Sequence, residues 1–97
     1  MDITIKTIHF SISNDLEDFA TKKITKAASK REDIVSAKVI MELIKPETNN
    51  NKEVEIIFGV KGSELFSKKT ADTFEEAFDL ALDAVKKQYS KYKEKKS

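Results

Sequence analysis

Two hydrophobic periods divide the chain. From Phe74 onward, Phe74, Ala77, Phe78, Ala81, Leu82, Val85, Tyr89 and Tyr92 recur at steps of three and four. That spacing predicts one buried face on a long α-helix. The same spacing in Leu16, Phe19, Ala20, Ile24 and Ala27 predicts a shorter helix ending near Lys30–Arg31. Ser13 or Asn14 is its expected cap, and Asp15, Glu17 and Asp18 occupy the first turn, where the helix dipole favours negative charge. Asp72 is the expected cap of the long helix, with Glu75 three residues on.

Elsewhere the period is two. Ile3 and Ile5 alternate with Thr4 and Lys6, and the parity then passes to Ile8, Phe10 and Ile12. A bulge or a strand end near Thr7 explains the shift. Residues Ile34 to Ile44 predict a second strand, with Val35, Ala37, Val39, Met41 and Leu43 on its core face. Pro46 stops it, and 46–51 reads as a polar turn. Val54, Ile56, Phe58 and Val60 predict a third strand. Gly59 and Gly62 bracket a hairpin turn at Val60-Lys61. In a fourth strand Leu65 and Ser67 face one way, Phe66 and Lys68 the other. The order β-α-β-β-β-α predicts an α+β fold, a four-stranded sheet with both helices packed on one face. The pairing of the first strand stays open. The free face would carry Glu42, Glu53, Glu55 and Glu64, together with Ile40, Ile44 and Ile57.

The 97 residues predict one domain over 1–97, large enough to bury roughly 60–70% of its unfolded surface. There is no cysteine, so disulfides and thiolate chemistry are excluded, which fits a reducing cytosol. The start Met1-Asp2-Ile3-Thr4 has no basic or apolar run and reads as no signal peptide. No stretch reaches the ~20 apolar residues of a membrane span.

Charge changes the picture more than composition does. The net charge is +1, yet residues 21–31 hold Lys22, Lys23, Lys26, Lys30 and Arg31 and no acid. Residues 84–97 hold Lys86, Lys87, Lys91, Lys93, Lys95 and Lys96 against Glu94 alone. Taken singly, each cluster reads as a solvated face that complements a helix C-terminus. Taken together, on two helices lying side by side, the lysines would flank a common groove for an anionic surface. Lysines are point charges suited to phosphate contacts, and Arg31 is the only arginine, so the expected mode is shape-and-phosphate recognition of folded RNA. Tyr89 and Tyr92 belong first to the core edge, with base stacking as their second reading.

No catalytic constellation emerges. His9 is the only histidine and has no partner at ligand spacing, the carboxylates sit in helix first turns and on strand faces, and no glycine-rich phosphate loop is present. The reading is therefore not an enzyme, with no cofactor and no metal. A protein–protein adaptor using the free sheet face is the alternative.

The run Glu76-Ala77-Phe78-Asp79, followed by Asp83-Ala84-Val85-Lys86-Lys87-Gln88-Tyr89-Ser90-Lys91-Tyr92-Lys93, resembles the C-terminal helix of the ribosome hibernation-promoting factors. This is the ribosome-associated inhibitor family, also called sigma factor modulation proteins. Ile12-Ser13, Leu16, Phe19, Lys23 and Lys26 are similar to the family's first helix. The resemblance covers essentially the whole chain. It implies a fold similar to double-stranded RNA-binding domains. It also implies a cytoplasmic protein that binds the small ribosomal subunit between head and body. There it would block the messenger and transfer RNA positions near the decoding centre and silence idle ribosomes in stationary phase or stress. The chain looks like the short form, monomeric when free. Its tail Lys95-Lys96-Ser97 lacks the acidic extension of the inhibitor subtype. Short members are associated with ribosome dimers formed with a separate modulation factor, which makes that factor a candidate second partner. The expected RNA-binding residues are Lys22, Lys23, Lys26, Lys30, Arg31, Lys86, Lys87, Lys91, Lys93 and Lys95.

Overall fold

A computed structural model describes residues 2–45, 47 and 49–96, with the backbone only at Lys96. The elements are β1 (Asp2–Ile8), α1 (Asn14–Ser29), β2 (Ile34–Leu43), β3 (Lys52–Val60), β4 (Ser63–Ala71) and α2 (Phe74–Lys96). The expected order β-α-β-β-β-α is the observed one. The sheet order is β1-β2-β3-β4. β2, β3 and β4 form antiparallel neighbours, and β1 lies at the edge, parallel to β2. A parallel neighbour needs a crossover, and α1 supplies it.

One face of the sheet is dry. Val39, Met41, Val54, Ile56 and Phe58 are fully buried there with Ile24 of α1 and Phe78 and Val85 of α2. Each such side chain contributes roughly 1.5–3 kcal/mol by leaving water. Alanines fill the closest approaches: Ala20, Ala28, Ala77 and Ala81 are wholly inaccessible. Phe10, in the connection before α1, stacks on Phe74 with ring centroids 4.3 Å apart, which ties the start of α2 to the end of β1.

Four local expectations shift. First, β1 ends at Ile8 because His9 adopts φ +68, so the parity change marks a strand end. Second, Val35 does not face the core. The β2–β3 register slips between Ile34 and Ser36, leaving Ile34 buried and Val35 59% exposed. A bulge has this effect, because one extra residue reverses the parity that follows it. Third, the hairpin turn is Lys61-Gly62, one residue later than expected, with Gly62 at φ +79, a backbone conformation glycine adopts without steric cost. Fourth, Thr73, not Asp72, caps α2. Its hydroxyl accepts from the Glu76 amide at 3.1 Å and its carbonyl from Ala77 at 3.0 Å. Asp72 instead accepts the Asn50 amide at 2.8 Å and holds the β2–β3 connection. The α1 cap is Ser13, as one of the two candidates, with its hydroxyl 3.1 Å from the Leu16 amide. The stop at Pro46, Thr48 within the polar turn, and the tail residue Ser97 lie outside the described residues.

Two contacts fix how α2 lies on the sheet. The Gln88 side chain meets the outward edge of β4: its Oε1 accepts the Phe66 amide at 3.1 Å, and its Nε2 donates to the Phe66 carbonyl. A side-chain amide thus takes the place of a neighbouring strand at one residue of an edge that would otherwise offer its backbone to other chains. Farther along, the Lys93 ammonium donates to Asp33 at 2.8 Å, pinning the last turns of α2 to the α1–β2 connection. The hydrogen bond and charge of Asp33 raise the Lys93 pKa above its ordinary value.

Two outcomes are expected. Gln88→Leu should destabilise the fold by about 1–3 kcal/mol, from two lost hydrogen bonds, and amide exchange should accelerate at Phe66 itself; unchanged protection at Phe66 would refute the edge role. The Lys93–Asp33 pair has a raised folded pKa. Its stabilisation is therefore complete below the ordinary lysine pKa and fades as pH rises through the folded value. The melting-temperature gap between wild type and Lys93→Met should hold across neutral pH and close only in strong alkali.

Candidate nucleic-acid interface

The two helices leave a groove between them, and this groove collects the charge. Lys23, Lys26, Lys30 and Arg31 line it from α1 and its C-terminal end, and Lys86 from α2. The stripes come from segments more than fifty residues apart in sequence, and they meet because both helices bury their apolar arcs on the same sheet face. Asp79 and Asp83 stand on the α2 wall, so the groove is positive with an acidic rim rather than uniformly basic.

Several of the expected contacts are already occupied. Lys23 donates to Asp79 at 2.8 Å across the helix seam, and its ammonium lies 4.7 Å from the centroid of the Phe19 ring. Half of each partner of that ion pair is exposed, so it contributes only about 0.2–1 kcal/mol. Arg31 donates to the Ala27 carbonyl at 2.8 Å and sits 5.6 Å from the Tyr89 ring centroid. Lys93 is held by Asp33. These three cations position helices, and a phosphate would have to share or displace their partners. Among the described residues, Lys26, Lys30 and Lys86 make no ion pair, which leaves them open to a ligand.

The remaining expected residues divide. Lys22 and Lys95 are exposed, the first one turn before Lys26 on α1 and the second one turn after Lys91 on α2. Lys87 and Lys91 lie on the flank of α2 turned away from α1, beside Lys69 of β4. The ten residues thus do not form one surface. Asp79, Asp83 and Lys69 were missed by the sequence reading. Lys69 carried a usable signal, since it shares parity with Leu65, Ser67 and Ala71 on β4. The tyrosines are core-edge groups: Tyr89 and Tyr92 pack against the buried cluster, their centroids 6.3 Å apart.

The arrangement suits binding better than catalysis. His9 is largely exposed and its Nδ1 lies 3.6 Å from Glu42, with no nucleophile described beside it. Among the described residues no group of three or more His, Cys, Asp or Glu side chains could hold a metal. Among the described residues no helix is long and apolar enough to cross a membrane. On the opposite sheet face Ile40, Ile44 and Ile57 are half-buried among Glu42, Glu53 and Glu55, and Phe66 is the more exposed apolar side chain.

Comparison with known proteins agrees with the fold. A ribosomal subunit interface protein from Coxiella burnetii superposes with a TM-score of 0.84 at 25% identity, over 96% of this chain and 98% of that one. The N-terminal domain of Protein Y from Thermus thermophilus shares the fold at a TM-score of 0.77 and 18% identity, over 95% and 99% of the two chains. No curated protein sequence matches. Residues 3–97 match the family described as sigma 54 modulation protein / S30EA ribosomal protein, and with nearly the whole chain matched, the protein belongs to that family.

Proposed function

We propose that this protein is a ribosome hibernation factor that binds folded RNA of the small ribosomal subunit. The α1–α2 groove would hold the phosphate backbone near the decoding centre, the bound protein would occupy the messenger and transfer RNA positions, and translation would stop. The observation that carries this reading is the convergence of Lys23, Lys26, Lys30, Arg31 and Lys86 on one groove from two distant segments. Family membership and the likeness to a ribosomal subunit interface protein support the ribosome as partner. The protein would act in the cytoplasm, where ribosomes are. A separate modulation factor that pairs ribosomes would be a second partner.

The mode of recognition follows from the side chains present. Lysine ammoniums neutralise phosphates without reading bases, and the one arginine has its guanidinium engaged by Ala27 and Tyr89. Affinity should therefore depend on RNA shape and backbone placement, and steeply on salt. The adaptor alternative rests on exposed Phe66 beside its cross-strand partner Ile57, a smaller feature than the basic groove built from two segments.

Co-sedimentation with small ribosomal subunits at rising salt tests the reading. Wild type should bind at low salt and inhibit translation in a cell-free assay. The triple variant Lys26→Gln, Lys30→Gln, Lys86→Gln should lower the log–log salt slope by up to about three units. Failure of wild type to sediment with subunits at low salt would refute the proposal. A second expectation runs against intuition for a conserving change. Asp79→Asn should strengthen binding and steepen the slope by about one unit, because it removes a rim carboxylate and frees Lys23. A weaker complex would show that the Lys23–Asp79 pair is needed intact.

A further inference from the structure

β1 has β2 on one side only and nothing paired on the other. It carries no proline, no bulge and no inward-pointing charge, the usual devices that keep an edge strand from pairing. Ile3 and Ile5 pack against the core yet stay half-buried, because no strand stands beyond them. The sequence of β1 is self-complementary in one antiparallel register. With Thr4 opposite Thr4 of a second copy, Ile3 faces Ile5 and Asp2 faces Lys6, each pair occurring twice. Directly opposed residues share a face, so the isoleucines meet on the core side and the opposite charges on the outer side. Isoleucine, threonine and opposite-charge pairs of this kind stabilise a sheet. Neither Asp2 nor Lys6 makes an ion pair among the described residues. The adjacent registers are poorer: one centred on Ile5 sets Asp2 against Ile8, and one centred on Lys6 opposes two lysines.

The helix layer accepts the same join. α1 lies over β1 and β2, and α2 over β3 and β4. Antiparallel edge pairing puts the two-fold axis perpendicular to the sheet, so the helices of both copies share one face. The two α1 helices would then stand two strand spacings apart, about 9–10 Å, within the ordinary helix packing distance of about 8–10 Å. The α1 flank turned to α2 carries Phe19, Lys23, Lys26 and Lys30. At 100° per residue the opposite flank carries Thr21, Thr25 and the buried Ala28, with Glu17 as its charge and no lysine. That flank would meet its copy, and the α1–α2 groove would stay open.

We propose that β1 is a self-association edge: two copies pair through it, centred on Thr4, into a reversible dimer with one eight-stranded sheet and four helices on one face. The family resemblance implies a monomer when free; the β1 edge adds a dimer at high concentration. The proposal is independent of the RNA-binding reading.

The chain has no cysteine, so introduced thiols report the register directly. In analytical ultracentrifugation, raising wild type into the millimolar range should move the mass from the 11.0 kDa monomer towards its double. Asp2→Lys should weaken the dimer about tenfold, since two attractive pairs become repulsive, and adding Lys6→Asp should restore it. Thr4→Cys sets two thiols directly opposite at a Cα separation of about 4.5–5.5 Å, which a disulfide spans, so mild oxidation should link the copies. Asp2→Cys and Lys6→Cys should not link, because like residues stand four strand positions apart, roughly 13 Å. All three positions are exposed, and the variants should keep the wild-type melting temperature. Wild type that stays monomeric at every concentration would overturn the inference. So would equal linking at all three positions, or a charge swap that fails to restore the dimer. A dimer lost in Phe66→Lys, with no linking by Thr4→Cys, would assign the contact to the free sheet face and overturn it too.

Discussion

Both helices must discharge their apolar arcs onto the same face of one four-stranded sheet, and the charge distribution depends on that constraint. The opposite face has too many carboxylates among its isoleucines to receive a helix. With the helices side by side, their charged arcs are pushed outward and into the seams. Fully buried alanines on α1 and α2 let the packing stay close. The basic groove is therefore a by-product of how the core is covered, and its position needs no dedicated binding loop.

The acidic rim gives this surface a graded character. Lys23 is paired to Asp79, while Lys26, Lys30 and Lys86 stand open in the same groove. A phosphate approaching the groove meets some cations that are available and one that must be exchanged from a carboxylate. Such exchange costs little at an exposed site, because the ion pair was worth little. It would make anion binding in this groove responsive to ionic conditions and readily reversible.

The sequence revealed every element and the packing faces of both helices, because hydrophobic period is a direct record of burial. It failed where a single residue decides. Val35 reads as core-facing by parity, since a bulge leaves no compositional mark. Asp72 and Thr73 are both good cap residues standing next to each other, so composition does not separate them. The parallel pairing of β1 was not legible, as β1 is short and at an edge. The site was half legible. Which residues are cationic is plain from the sequence, but their division into two grooves follows from the rotation of α2. That rotation is set by the apolar arc of α2 on the sheet and pinned by Gln88 on Phe66, but what stands beside each flank is fixed by the tertiary placement of α1 and β4. The ion pairs Lys23–Asp79 and Lys93–Asp33 span 56 and 60 residues, beyond the reach of any local pattern.

The Gln88 contact also makes the sheet asymmetric toward its own kind. A sheet with two open margins can join copies end to end without limit, each new copy offering a fresh margin. Here the β4 margin is interrupted near its middle by the protein's own amide, and β1 is left as the more accessible one. Growth by edge pairing would then stop at two molecules, since the second copy presents only its interrupted side. Termination of this kind keeps a concentrated stock of the chain from converting into fibres.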